Sequence, residues 1–85
     1  MIVEDEKLAR EEIKYLLDNE EDFKIVQQSS DGKKALKFLQ ENSVDLVFLD
    51  IKIPGISGIE IAKKLKESKN SPYIIFTTAY DEYAV

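Results

Sequence analysis

The chain has 85 residues, a formal net charge of -5, 44% hydrophobic and 34% charged residues, which fits one small globular domain and excludes a disordered segment. Its acidic balance argues against direct nucleic-acid binding by this segment, and the absence of cysteine and histidine excludes a disulfide framework, a thiolate metal site and imidazole chemistry. No apolar run approaches membrane-spanning length, and Met1-Ile2-Val3 runs into acids rather than into a signal peptide, so the expected setting is reducing and cytoplasmic.

Residues 1–3 read as a very short apolar strand that ends at Glu4-Asp5-Glu6. Residues 7–19 carry Leu8, Ala9, Ile13, Leu16 and Leu17 at amphipathic-helix spacing. A polar turn, Glu20-Glu21-Asp22, leads to an expected strand over 23–27 with Phe23, Ile25 and Val26. Ser30-Asp31-Gly32 offers helix-start chemistry, because Ser and Asp side chains accept orphan amide hydrogens. The helix over 33–42 places Ala35, Leu36, Phe38 and Leu39 on one side. Residues 44–49 are the clearest buried strand, and Asp50 ends it. The run from Ile51 to Gly58 follows, with Pro54 and Gly55 enforcing a turn. Ser57-Gly58-Ile59-Glu60 fits a capping box. The helix it opens extends to about Glu67 or Ser68, with Ile59, Ala62 and Leu65 facing inward. Residues 69–71 are a loop, Pro72 opens a strand over 73–77, and Tyr80 begins another helix.

Near-continuous apolar strands alternating with helices predict an α/β domain with a parallel sheet covered on both faces. There are no repeats and no interior linker, so residues 1–85 read as a single domain. In such sheets ligands bind beyond the carboxyl ends of the strands. There the acids Glu4, Asp5 and Asp50 converge, and packed carboxylates repel unless a cation joins them. Magnesium suits this site, because it uses one or two carboxylates, phosphate oxygens and waters. Glu6 reads instead as a helix-start acid favoured by the positive end of the dipole. Asp50 is a candidate phosphoryl acceptor, since carboxylates form aspartyl-phosphate. Lys52 offers a backbone carbonyl to the same cation, and Gly58 allows close backbone approach. At the end of the last strand, Thr77 and Thr78 offer hydroxyls to a phosphoryl oxygen, and the small Ala79 keeps access open.

Together, Ile-Val-Glu4-Asp5-Glu6, the stretch Leu-Val-Phe-Leu-Asp50-Ile-Lys-Ile-Pro54-Gly55-Ile-Ser-Gly58, and Phe76-Thr77-Thr78-Ala79 resemble the receiver domain of two-component response regulators. The resemblance implies a flavodoxin-like, doubly wound sheet of order 2-1-3-4-5. It implies that Asp50 is the phosphoacceptor, and that Glu4, Asp5, Asp50 and the Lys52 carbonyl hold Mg²⁺. Thr78 is then the switch hydroxyl, beside Ala79. It implies a histidine kinase or phosphotransfer protein as donor, and a phosphoacceptor rather than an enzyme. The ending from Thr78 to Val85 looks like receivers that carry a LytTR-type DNA-binding output domain. The departure is that a fifth βα unit is absent, so the chain is expected to be C-terminally incomplete.

Two rivals differ in mechanism. A haloacid-dehalogenase-like phosphohydrolase resembles Asp-x-Asp-x-Thr after a first strand, whereas Lys52 stands two residues after Asp50. A pseudo-receiver would keep the fold with an idle site, which the intact acids oppose. With the last unit missing, the fourth strand is expected at an open edge. Ile2, Val47, Leu49 and Ile75 are expected to contribute to a bare sheet face, and self-association is expected to follow.

Overall fold

The computed structural model describes residues 1–68 and 71–77. Four strands form one parallel sheet in the order β2-β1-β3-β4. They are β1 (Ile2–Val3), β2 (Gln28–Ser29), β3 (Leu46–Leu49) and β4 (Tyr73–Phe76), alternating with α1 (Lys7–Asp18), α2 (Gly32–Glu41) and α3 (Gly58–Lys66). The expected fold class and strand order are therefore present. Right-handed crossovers dictate where the helices go. The chain steps one way from β1 to β2 and the other way from β2 to β3 and on to β4. Hence α1 lies on one face, and α2 and α3 lie together on the other.

The second face holds the main core. Met1, Val3, Val47 and Leu49 from the sheet side pack with Ala35 and Leu39 of α2, and with Ile61 and Leu65 of α3. Ile2, Val3, Val47, Leu49, Ile61 and Leu65 are fully buried, and each such side chain contributes about 1.5–3 kcal/mol relative to exposure. Asp31 caps α2, its Oδ1 accepting the Lys34 amide at 3.0 Å. Ser57 caps α3, its hydroxyl accepting the Glu60 amide at 3.2 Å, as the capping-box spacing predicts.

Four expectations need correction. Residues 23–27 are not a strand, and the ladder falls on Gln28–Ser29 instead. Its partner β1 is only two residues long, pairing Ile2 with Gln28 and Val3 with Ser29, so Phe23 and Val26 run past it and stay exposed. In α3 the inward residues are Gly58, Ile61, Ala62 and Leu65, while Ile59 is exposed. On α1, Leu8 and Leu16 face solvent, and no residue of that helix is fully buried.

The expected bare face is also corrected. Ile2 pairs in register with Phe48, and Val3 with Leu49. Strand parity therefore puts Val47 and Leu49 with Val3 on the α2–α3 face. The α1 face carries Ile2, Phe48 and Ile75 instead. There Ile2 is covered, while Ile75 is 47% and Tyr73 82% exposed.

Candidate functional site

Strand β1 stops because Glu4, Asp5 and Glu6 follow, and β3 stops at Asp50. The two strands are neighbours, and the order reverses between them, so their carboxyl ends frame the crevice where open α/β sheets bind ligands. Backbone bonds fix the two exits. The Asp50 amide donates to the Val3 carbonyl at 3.0 Å, and the Glu4 amide donates to the Ser29 carbonyl at 3.0 Å. This holds Glu4 and Asp50 side by side, both buried, with Asp5 exposed at the mouth.

One carboxylate oxygen from each of Glu4, Asp5 and Asp50 lies within 4.8 Å of the others. Oxygens that close fit around a single divalent cation, whose ligand distances are about 2.0–2.1 Å for magnesium. The electrostatics agree. The Glu4 carboxyl is pushed up to about 7, chiefly by burial, with Asp50 and Asp5 adding to the rise and the Glu6 amide opposing it. That amide donates to Glu4 Oε2 at 3.3 Å. Burial without a counter-charge makes the ionised form costly, and a cation here would supply the counter-charge that favours it.

The loop after Asp50 is seated at three points. Its first residues turn inward, Ile51 and Ile53 being buried. The Lys52 amide donates to Asp50 Oδ1 at 3.3 Å, which fixes the plane of that carboxylate. Pro54 and Gly55 make the turn, and Gly55 has φ of 94°, a conformation that only glycine adopts at low cost. The Gly32 amide then donates to the Pro54 carbonyl at 2.8 Å, and the Gly58 amide to the Ile51 carbonyl at 2.8 Å. A Cβ on Gly58 would sit 2.2 Å from the Asp50 carbonyl oxygen, and one on Gly32 would sit 2.4 Å from that of Ile56. These are close approaches of backbone to backbone, and neither glycine can carry a side chain without moving the loop.

The structure thus brings together Glu4, Asp5 and Asp50, with the Lys52 backbone and Gly58 against Asp50. Glu6 stands at the N-cap of α1, but its side chain makes no capping bond. Thr77 follows β4 directly, its amide donating to the Leu49 carbonyl at 3.0 Å. Thr78 and Ala79, together with the helix start at Tyr80, lie outside the described residues. Two residues escaped the sequence reading. Gly32 looked like part of a helix start, and its contact with Ile56 crosses between distant segments. Arg10, on α1, bonds back to the Glu4 carbonyl at 2.8 Å, and no residue type or spacing signals that contact.

Comparison with known proteins agrees with this geometry. The model of the response regulator receiver domain matches residues 1–85. Sensory transduction protein LytT from Bacillus anthracis is 46% identical over all of this chain, which spans 35% of that protein's length. The response regulatory domain of protein MrkE from Klebsiella pneumoniae superposes with a TM-score of 0.90 at 43% identity, over 98% of this chain and 68% of that one. TrrA from Thermotoga maritima, solved in complex with Mg²⁺-BeF, gives 0.86 at 40% identity, over 98% of this chain and 70% of that one. The family match over the whole chain, the strand order and these identities place the chain in the family of response regulator receiver domains of two-component signalling.

Proposed function

We propose that this chain is the single receiver domain of a phosphorylation-controlled switch and that Asp50 accepts the phosphoryl group. The observation that carries this reading is the cluster of Glu4, Asp5 and Asp50 oxygens within 4.8 Å of one another, at the carboxyl ends of β1 and β3. The donor is a partner histidine kinase or phosphotransfer protein. An Asp50 oxygen attacks phosphorus as the phosphorus–nitrogen bond of a phosphohistidine breaks, and the imidazole nitrogen keeps that electron pair. Asp50 ends as an acyl phosphate, so the domain is an acceptor rather than an enzyme acting on a free substrate.

Glu4, Asp5, Asp50 and the Lys52 carbonyl would hold Mg²⁺, which when bound neutralises charge on the phosphoryl oxygens. Positioning does much of the remaining work in such transfers. The Lys52 amide orients Asp50, and the loop through Pro54, Gly55 and Gly58 keeps the approach open. Thr78, next to Ala79, is assigned the hydroxyl that reads the phosphoryl group, on its position directly after Thr77.

The output is proposed to be transcriptional and to lie in a domain outside this chain, on its likeness to LytT and the LytTR-type ending. The segment itself makes no direct contact with nucleic acid, in keeping with its charge of -5. No described helix is long and apolar enough to cross a membrane, and a cytoplasmic setting suits a partner kinase that uses nucleotide.

The test is incubation of the full-length protein with acetyl phosphate and Mg²⁺, followed by intact mass measurement. The unsubstituted protein gains one phosphoryl group, and Asp50→Asn gains none. An undiminished adduct on Asp50→Asn would overturn the assignment.

A further inference from the structure

Arg10 lies in the second half of the first turn region of α1, and its guanidinium turns back toward the acid loop. Its Nη1 donates to the Glu4 carbonyl oxygen at 2.8 Å, in a partly buried contact, and reaches the Asp5 carbonyl oxygen at 3.5 Å. Its own amide donates to the Glu6 carbonyl at 3.0 Å. One residue therefore meets the main chain of Glu4, Asp5 and Glu6 together. Those carbonyls lie beyond the β1 ladder, which ends at Val3. The Glu6 side chain makes no capping bond, and the other tie here is the longer one from the Glu6 amide to Glu4 Oε2 at 3.3 Å.

We propose that Arg10 is a positioning residue for the metal centre, which rests on the Mg²⁺ reading given above. Its guanidinium bonds run to carbonyl oxygens and not to carboxylates. It acts through the Glu4 and Asp5 carbonyls, which set where those two side chains leave the backbone. Three carboxylates within 4.8 Å of one another push apart when no cation is bound. A guanidinium holding the backbone beneath two of them resists that spreading. A charged donor to a carbonyl is among the stronger hydrogen bonds, and its planar fork loses little freedom on binding.

Two physical effects of Arg10 on the cation have opposite signs. Its positive charge repels a nearby dication, so removing it would tighten Mg²⁺ binding. Its hold on the loop preorganises the ligands, so removing it would weaken binding. The exposed mouth of the site screens the first effect, while the second acts through direct contact at 2.8 Å. The positioning effect therefore dominates.

The experiment is calorimetric titration of the full-length protein with Mg²⁺, without any phosphoryl donor. Arg10→Ala should weaken binding about fivefold, a fraction of what a full charge-assisted bond is worth. Arg10→Lys, which keeps the charge and one donor direction, should recover part of that loss. Urea unfolding in EDTA should change much less than the Mg²⁺-dependent gain in stability. Asp5→Asn serves as the reference, because it removes a proposed ligand. If Asp5→Asn binds Mg²⁺ as the unsubstituted protein does, the metal-site reading itself is wrong. If Asp5→Asn loses affinity while Arg10→Ala keeps it within twofold, or binds more tightly, the role of Arg10 is overturned and the site reading stands.

Discussion

Replacing Gly58 with alanine tests the seat of Asp50. The added Cβ would stand 2.2 Å from the Asp50 carbonyl oxygen, and 3.0 Å from both the Asp50 carbonyl carbon and the Ile51 Cα. All three neighbours are backbone, so no side chain can swing aside. The carbonyl must retreat from 2.2 Å to at least 3.0 Å, the limit below which real Cβ contacts essentially never fall. That movement strains the 2.8 Å bond from the Gly58 amide to the Ile51 carbonyl. Overpacking of this kind costs about 1–3 kcal/mol, and a weakened hydrogen bond adds about 1 kcal/mol. Alanine's better helix propensity returns at most about 1 kcal/mol, and less than that at the first helical residue. The net loss is therefore about 1–4 kcal/mol, a sizeable share of the 5–15 kcal/mol typical of a domain. Urea unfolding of the intact receiver measures it, with Ile59→Ala as an exposed neighbour for reference. A loss below about 0.5 kcal/mol, the range of ordinary surface substitutions, would refute the claim that backbone contact at Gly58 fixes the loop.

The raised Glu4 carboxyl gives a pH signature. Its folded value of about 7 exceeds the ordinary 4.5, so the folded state keeps a proton that the unfolded chain releases. Metal-free stability should therefore fall as pH rises from about 4.5 to 7 and level off above, by about 1–3 kcal/mol after allowance for solvent at the site's mouth. Glu4→Gln should lack that component in urea titrations in EDTA, and parallel profiles for the two proteins would exclude it. The 85-residue chain expressed alone should associate through β4 and the α1 face of the sheet, where Tyr73 is 82% and Ile75 47% exposed. Sedimentation equilibrium at micromolar concentration should show that association shrinking in a Tyr73→Lys, Ile75→Lys variant. A monomeric unsubstituted chain would show that the sheet needs no further cover.

The strand ends were readable because acids and Pro/Gly residues punctuate apolar runs sharply. Asp50, Glu4 and Asp5 could be placed at strand ends from alternation, and on neighbouring strands from the order that the family resemblance implies. Register was not readable. The choice of Phe48 rather than Val47 as the in-register partner of Ile2 decides which face Val47 and Leu49 join, and nothing local encodes it. Helix α3 misled for a different reason. Its buried positions, Gly58, Ile61, Ala62 and Leu65, follow a regular i, i+3, i+4, i+7 stripe, but the stripe starts at a glycine that a count of apolar residues passes over. The β2 shift follows the ladder, which pairs only Gln28 with Ile2 and Ser29 with Val3, although Phe23 to Val26 have strand-like composition. Contacts such as Gly32 with Ile56, or Arg10 with Glu4, join segments through backbone atoms, and backbone atoms leave no trace in residue type.

Parallel pairing of β1 with β3 has a consequence for how the site comes into being. The Met1 amine reaches the Leu46 carbonyl at 2.9 Å across 45 positions, and the bond from the Asp50 amide to the Val3 carbonyl spans a similar stretch. Closing such a loop costs entropy before the contacts return it. Local helices such as α2 can form early, on the strength of their own caps. The carboxylate cluster cannot exist until the distant strand ends have met, so its assembly waits on a long loop closure. A chain still in transit to the native state carries every acid of the site and none of the geometry that the proposed phosphoryl transfer requires.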